Sequence, residues 1–213
     1  MINFKLDHEQ RKAIIRQRSK PFKHFFNIND KKHQFEFDRL YAKDSFIDAI
    51  IAKDNSLSMD RIIDIGCGNA GIAAVQNIMF GSEIFLIDGN RNKERDAGYE
   101  NAESMNWYST WNDLPYTLKE WGCDMKKVHF IEINSAKSYN WPKVNLVQSF
   151  LSCGAHYPID NYKWLYDKIN LPNTRYIFTT NKTIQDIPSY FKIVNTVPFI
   201  NEPNGLYNIL EMK

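Results

Sequence analysis

From residue 61 to the end of the chain, apolar residues come in seven short runs. These are Arg61–Ile65, Glu83–Asp88, Lys127–Ile133, Val144–Leu151, Thr174–Thr180, Tyr190–Val197 and Leu206–Met212. Runs of this length, rich in Ile, Val, Phe and Tyr, read as strands. Between the first five lie stretches with helical spacing: Ala70–Met79, Lys93–Met105, Asn112–Trp121 and Ile159–Ile169. Strands alternating with helices predict an α/β fold, a mostly parallel sheet with helices on both faces. Only Pro198–Gly205 separates the last two runs. That is too short for a crossover helix, so these two strands should form an antiparallel hairpin.

Upstream, Asp7-His-Glu-Gln10 has capping-box character and predicts a helix to about Arg18, interrupted by Pro21. Asp30 to Lys53 carries Phe37, Leu40, Tyr41, Ile47, Ile50 and Ile51 on one helical face. The polar stretch Lys53–Met59 divides the chain into a helical extension, 1–57, and a core, 58–213. The extension should pack on the core, or cover its site as a lid lined by Phe25, Phe26, Phe35 and Tyr41.

The first strand runs into the most informative stretch, Asp64-Ile-Gly66-Cys67-Gly68-Asn69-Ala-Gly71. Glycines permit tight backbone angles and close ligand approach. The helix that follows presents free N–H groups. About 20 residues beyond Gly68 the second strand ends in Asp88, placed to grip the two hydroxyls of a ribose, with Gly89 and Asn90 adjacent. Gly66, Gly68 and Gly71 fit the dinucleotide pattern G-x-G-x-x-G, so a nicotinamide oxidoreductase is one reading. Asp64 argues for another. A carboxylate at the strand end would repel a pyrophosphate, whereas S-adenosylmethionine has no phosphate and brings a cationic amino group and a sulfonium. Capping of the turn is the plainer role for Asp64.

The motif D-x-G-x-G, the strand order and the closing hairpin together resemble the class I S-adenosylmethionine-dependent methyltransferases over residues 58–213. The resemblance implies a Rossmann-like seven-stranded sheet, mostly parallel, with a C-terminal antiparallel hairpin. It implies S-adenosylmethionine as cofactor. Asp64, Gly66, Cys67, Gly68, Asn69 and Gly71 would lie at its aminoacyl end, and Asp88, Gly89 and Asn90 at the ribose. Asn134 and Ser135, after the third strand, would meet the adenine. The family often has Asp at the position of Asn134, and the Asn side-chain carbonyl can accept the same hydrogen bond. Class I enzymes often add helices ahead of the core, which fits the lid reading of 1–57.

The fourth strand leads into S-F-L-S-C-G-A-H-Y-P-I-D-N-Y, from Ser149 to Tyr162. In open α/β sheets the ligand sits beyond the carboxyl ends of the strands, so Ser149 joins the cofactor-site candidates. The strand ends in Ser149 where metal-assisted catechol-type methyltransferases carry an acid, and no metal site is expected. The N-P-P-Y and P-C motifs of base and amide methylators are absent. His156 is the candidate general base for a hydroxyl acceptor, since its ordinary pKa, near 6.5, suits proton removal at neutral pH. The plain alternative is that His156 caps the helix that follows. This stretch is similar to one in bacterial sugar O-methyltransferases, which implies a sugar hydroxyl as acceptor, such as one on a surface polysaccharide or its precursor. Tyr157 would orient the acceptor, with Tyr108 and Asn112 as further sugar contacts. His8, His24, His33 and His129 have no such context and read as surface or packing residues.

Composition narrows the setting. A 43% hydrophobic content in 213 residues supports one full α/β core. No apolar run reaches the length of a membrane span, and the N-terminus lacks a signal-peptide core. Cys67, Cys123 and Cys153 are unclustered, which suits a reduced cytoplasmic protein. A net charge of only +2 makes nucleic acid an unlikely partner. Lys12, Arg16, Arg18, Lys20, Lys23, Lys31 and Lys32 do cluster near the N-terminus, so an RNA-modifying enzyme stays as an alternative. The sequence leaves the oligomeric state open.

Overall fold

The computed structural model describes residues 45–68, 70–88, 114–150, 152–153, 158–169, 172–181, 187–198 and 205–213. A helix over 45–55, α1, precedes β1 (Arg61–Ile65), α2 (Gly71–Phe80) and β2 (Glu83–Asp88). Then come α3 (Leu114–Glu120), a short 3-10 turn at Met125–Lys127, β3 (Val128–Glu132), the single-turn α4 (Ile133–Ala136) and β4 (Leu146–Ser149). A 3-10 turn at Ile159–Tyr162 runs into α5 (Lys163–Ile169), followed by β5 (Arg175–Asn181), β6 (Phe191–Pro198) and β7 (Gly205–Met212).

The strands form one seven-stranded sheet in the order β3-β2-β1-β4-β5-β7-β6. Its first five strands pair in parallel, and β7 runs antiparallel to both β5 and β6. The expected closing hairpin is therefore present, and β7 inserts between β5 and β6. Strand order reverses between β2-β1 and β4, and a ligand crevice in such sheets opens at this kind of switch point.

Alternation along β1 explains the two-layered core. Ile62 faces a cluster with Ala52, Ala73, Ala74, Leu86, Leu146, Tyr207 and Ile209. Ile63 and Ile65 face the opposite cluster, with Val147, Leu165, Tyr166, Tyr176, Phe178 and Leu210. Period-two side chains put Asp64 on the same face as Ile62, under α1 and α2. The small residues Gly71, Ala73 and Ala74 let α2 lie close on the strands, and all are buried. The aromatic layer on the other face holds α5 through Tyr166, whose ring meets those of Tyr176, Phe178 and Phe191.

Three local outcomes differ from the sequence expectation. β3 stops at Glu132, and the next residues form a helical turn. Ser135 Oγ donates to the Glu132 carbonyl at 2.9 Å, and Trp141 Nε1 donates to Ala136 O at 2.9 Å, which favours a turn over continued pairing. β4 is shorter than expected, because Val144 O is taken by the Thr174 hydroxyl at 2.9 Å before the ladder begins. The helix expected over Ile159–Ile169 begins as 3-10 and turns α at Lys163. The run expected as a helix over Lys93–Met105 lies outside the described residues.

α2 begins at an unusual residue. Ala70 sits at its N-cap with φ 52° and ψ 32°, a left-handed conformation that costs a non-glycine residue about 1–2 kcal/mol. We predict that Ala70→Gly changes stability by less than about 0.5 kcal/mol, because relieved strain offsets the lost methyl. Ala74→Gly, in the buried helix interior, should cost about 1–2 kcal/mol. Urea unfolding of the two variants checks the contrast, and equal losses would refute the strain argument.

Candidate active site

The turn after β1 is pinned to β2 rather than to its own strand. Gly66 N–H donates to Ile87 O at 2.8 Å, and Gly68 N–H donates to Asp88 Oδ2 at 2.7 Å. Gly66 and Gly68 both have positive φ, 67° and 52°. At Gly66 the demand is also steric. A Cβ there would lie 1.9 Å from Ser152 Oγ and 2.5 Å from Ser152 Cβ. Ser152, in the segment after β4, thus closes over the turn. The motif reading had not singled it out, although the serine-rich end of the fourth strand was its signal.

Asp64 lies behind this turn and is buried. Its surroundings form a polar seam in the layer between the sheet and α1 and α2. Gln76 of α2 and Gln148 of β4 exchange amide hydrogen bonds at 2.6 and 3.0 Å, both fully buried. Gln148 stands opposite Asp64 across the β1–β4 pairing, where its amide favours the ionised carboxylate. Further along, the Tyr207 hydroxyl donates to Asp48 Oδ1 across 159 residues of sequence, joining α1 to β7. Burial pushes the Asp64 carboxyl up to about 7; Gln148 opposes the rise, and the charges of Asp88 and Asp48 add to it. Burial likewise raises the Cys67 thiol, helped by Asp88 and Asp64.

The remaining candidates are placed as follows. Asp88 ends β2, with one carboxylate oxygen on the turn; a carboxylate has a second oxygen and about four lone-pair sites in all. Asn134 and Ser135 are exposed on α4, one strand over from Asp88. Ser149 is fully buried, and its hydroxyl donates to Ile65 O at 2.7 Å while accepting from Cys153 N–H at 2.8 Å. It clips β4 to β1 and supports the turn from below. Gly71 starts α2, which has no side-chain cap and no acid in its first turn. Asn69, Gly89, Asn90, Tyr108, Asn112, His156 and Tyr157 lie outside the described residues. His129 is a packing residue, as expected: its ring stacks on Phe85 at 4.5 Å, and Nε2 meets Glu83 at 2.9 Å. Among the described residues no group of His, Cys, Asp or Glu is arranged to hold a metal ion. None of their helices is long and apolar enough to cross a membrane.

Solved structures carry the comparison. A mutant of MtNAS in complex with S-adenosylmethionine superposes with a TM-score of 0.54 at 10% identity, covering 96% of this chain and 74% of that one. N,N-8-amino-8-demethyl-D-riboflavin dimethyltransferase from Streptomyces davawensis gives 0.57 at 11% identity, covering 95% and 68%. An RNA methyltransferase from Salinibacter ruber in complex with S-adenosylhomocysteine gives 0.52 at 13% identity, covering 77% and 87%. The fold is that of the class I methyltransferases. No protein-family model and no curated protein matches the chain. At these identities the likeness speaks for the fold, and the chemistry has to be read from the site.

Two predictions follow from this geometry. Gly66→Ala should destabilise the protein by about 2 kcal/mol or more, through the Ser152 clash and the positive φ. Adding Ser152→Gly should recover part of that loss in chemical denaturation; no recovery would show that the contact is not the cause. The second concerns pH. Asp64 holds its proton more tightly folded than unfolded, so its contribution to stability is present below about pH 4 and is lost as pH rises to about 7. Asp64→Asn should flatten this slope and exceed the parent in stability above about pH 7 by about 2–4 kcal/mol. A variant less stable than the parent at pH 8 would contradict the assignment.

Proposed function

We propose that the protein is an S-adenosylmethionine-dependent methyltransferase acting on a hydroxyl oxygen of a small molecule or sugar. The observation that carries the cofactor half is the charge pattern at the glycine turn. Asp64 and Asp88 both feel each other there, and Asp88 already occupies the Gly68 N–H. A pyrophosphate would meet the Asp88 carboxylate at that turn and would oppose ionisation of Asp64 behind it, which disfavours a nicotinamide dinucleotide. An amino acid end group fits better. The start of α2, with no acid in its first turn, suits a carboxylate, and Asp64 suits an ammonium. The neighbours crystallised with S-adenosylmethionine and S-adenosylhomocysteine support the same choice.

S-adenosylmethionine, when bound, supplies a methyl group already activated on a sulfonium. The chain has to bind, align and remove a proton. In this reading Gly66, Cys67, Gly68, Asn69 and Gly71, with Asp64, hold the aminoacyl end. Asp88, with Gly89 and Asn90, takes the ribose hydroxyls. Asn134 and Ser135 stand on α4 for the adenine. Ser149 keeps the turn in place by its clip to Ile65. His156 removes the acceptor proton, and Tyr157, Tyr108 and Asn112 orient the acceptor. The local likeness of Ser149 to Tyr162 to sugar O-methyltransferases supports a sugar hydroxyl. Alignment of acceptor and methyl group then supplies much of the acceleration.

The test is a thermal-unfolding screen with S-adenosylmethionine, S-adenosylhomocysteine, NAD and NADP added separately. A ligand at a hundredfold excess over its dissociation constant should add about 2.7 kcal/mol. We expect stabilisation by the first two alone, and its loss in Asp88→Ala. A shift with NAD and none with S-adenosylmethionine would overturn the proposal and turn attention to hydride transfer.

A further inference from the structure

Asp64 stands in an unusual position for a ligand-facing acid. It belongs to a buried layer, and among the described residues its neighbours are neutral or acidic. From β2 comes Asp88; from β4, Gln148. α1 contributes Asp48, held by Tyr207 of β7. α2 contributes Gln76, locked amide to amide with Gln148. The turn itself adds Cys67, whose thiol burial keeps neutral. Lys53 and Asp54 of α1 lie more than a turn beyond Asp48, toward solvent. Among the described residues no cation is directed at Asp64. Burial strips solvation from the carboxylate and the described neighbours offer it no counter-charge, and both disfavour ionisation.

We infer that Asp64 carries a proton in the free protein and releases it when a cationic ligand group binds beside the turn, so that cofactor uptake is coupled to loss of one proton. The inference rests on the cofactor reading above and adds a linkage to it. The ligand group it names is the ammonium of the aminoacyl end. The coupling is reciprocal. A nearby positive charge favours the ionised carboxylate, so the ionised carboxylate must favour the ligand by the same factor. Protons and cofactor thus compete for Asp64. Affinity should rise about tenfold between about pH 5.5 and 7 and then level off. Burial sets where the rise occurs, and the charges of Asp88 and Asp48 move it further up in pH.

Isothermal titration calorimetry on the full chain tests this without any acceptor. S-adenosylmethionine is titrated at about pH 6.5 in buffers of different ionisation enthalpy, and the slope gives the protons released. The expected result is release of most of one proton for the parent and none for Asp64→Asn. 5′-Methylthioadenosine, which lacks the ammonium, should release none. Asp48→Asn should release less than the parent at the same pH, and it carries the test if Asp64→Asn no longer binds. Binding of S-adenosylmethionine with no proton released overturns the linkage while leaving the cofactor reading intact. Equal release by 5′-methylthioadenosine overturns it too, by taking the ammonium out of the account. No binding of S-adenosylmethionine at all overturns both together.

Discussion

The site depends on the parallel pairing of β1 with β2. Their register runs from Arg61↔Glu83 to Ile65↔Ile87, and it delivers Ile87 O and the Asp88 carboxylate to the turn that follows β1. The glycines are therefore shaped by the neighbouring strand as much as by their own angles. A slip of one residue would turn every side chain of β1 to the other face. Asp64 would leave the layer under α1 and α2 and enter the aromatic layer of Tyr166, Tyr176 and Phe178. Continuous burial on both faces of β1 makes such a slip costly, so the core itself guards the position of the acid.

A buried carboxylate is a poor way to stabilise a protein. Nothing in the fold requires an acid at residue 64, where its apolar neighbours Ile62, Ile63 and Ile65 would suggest another aliphatic residue. The Gln76–Gln148 pair fits the same view. Two amides that satisfy each other can tolerate an apolar layer, and Gln148 lies opposite Asp64 in the β1–β4 pairing. Where local rules of burial are broken with this much supporting structure, a functional demand is the economical explanation. The demand best matched here is for a cation.

The strands were the most legible part of the sequence. In a parallel sheet buried on both faces, aliphatic runs mark strands directly, and β2 matched its run residue for residue. The hairpin was readable from the short Pro198–Gly205 connection, because no crossover helix fits there. What the sequence concealed was set by pairing at a distance. The end of β3 was hidden because Ile133 reads as strand while the Ser135 and Trp141 hydrogen bonds fold it into a helical turn. Ser149 looked like a site residue by position, yet its hydroxyl is spent on Ile65 and Cys153, which only the β1–β4 pairing reveals. Ser152 carried a signal too weak to read, since its contact with Gly66 joins residues far apart in the chain. Asp48 carried none, for one acid on a helix gives no hint of the strand it faces.

Asp48 changes what the N-terminal extension means for the site. Ala49 and Ala52 of α1 are fully buried, and Ala52 shares a core cluster with Ile62, Leu146, Tyr207 and Ile209. Polar ties reinforce the contact, with Tyr207 on Asp48 and Asn195 Nδ2 donating to Asn55 Oδ1 at 3.0 Å. The helix that ends the extension is thus held by the closing hairpin, β6 and β7. Tyr207 in turn meets the ring of Phe150, the residue just past β4, at 5.7 Å between centroids. Three parts of the chain therefore converge at the carboxyl edge of the sheet: α1, the segment after β4 and the hairpin. The first brings Asp48, whose charge adds to that of Asp88 at Asp64, and the second brings Ser152 over Gly66. Tyr207 of the hairpin touches both partners, which gives β7 a part in the site that its place near the far end of the sheet would not suggest.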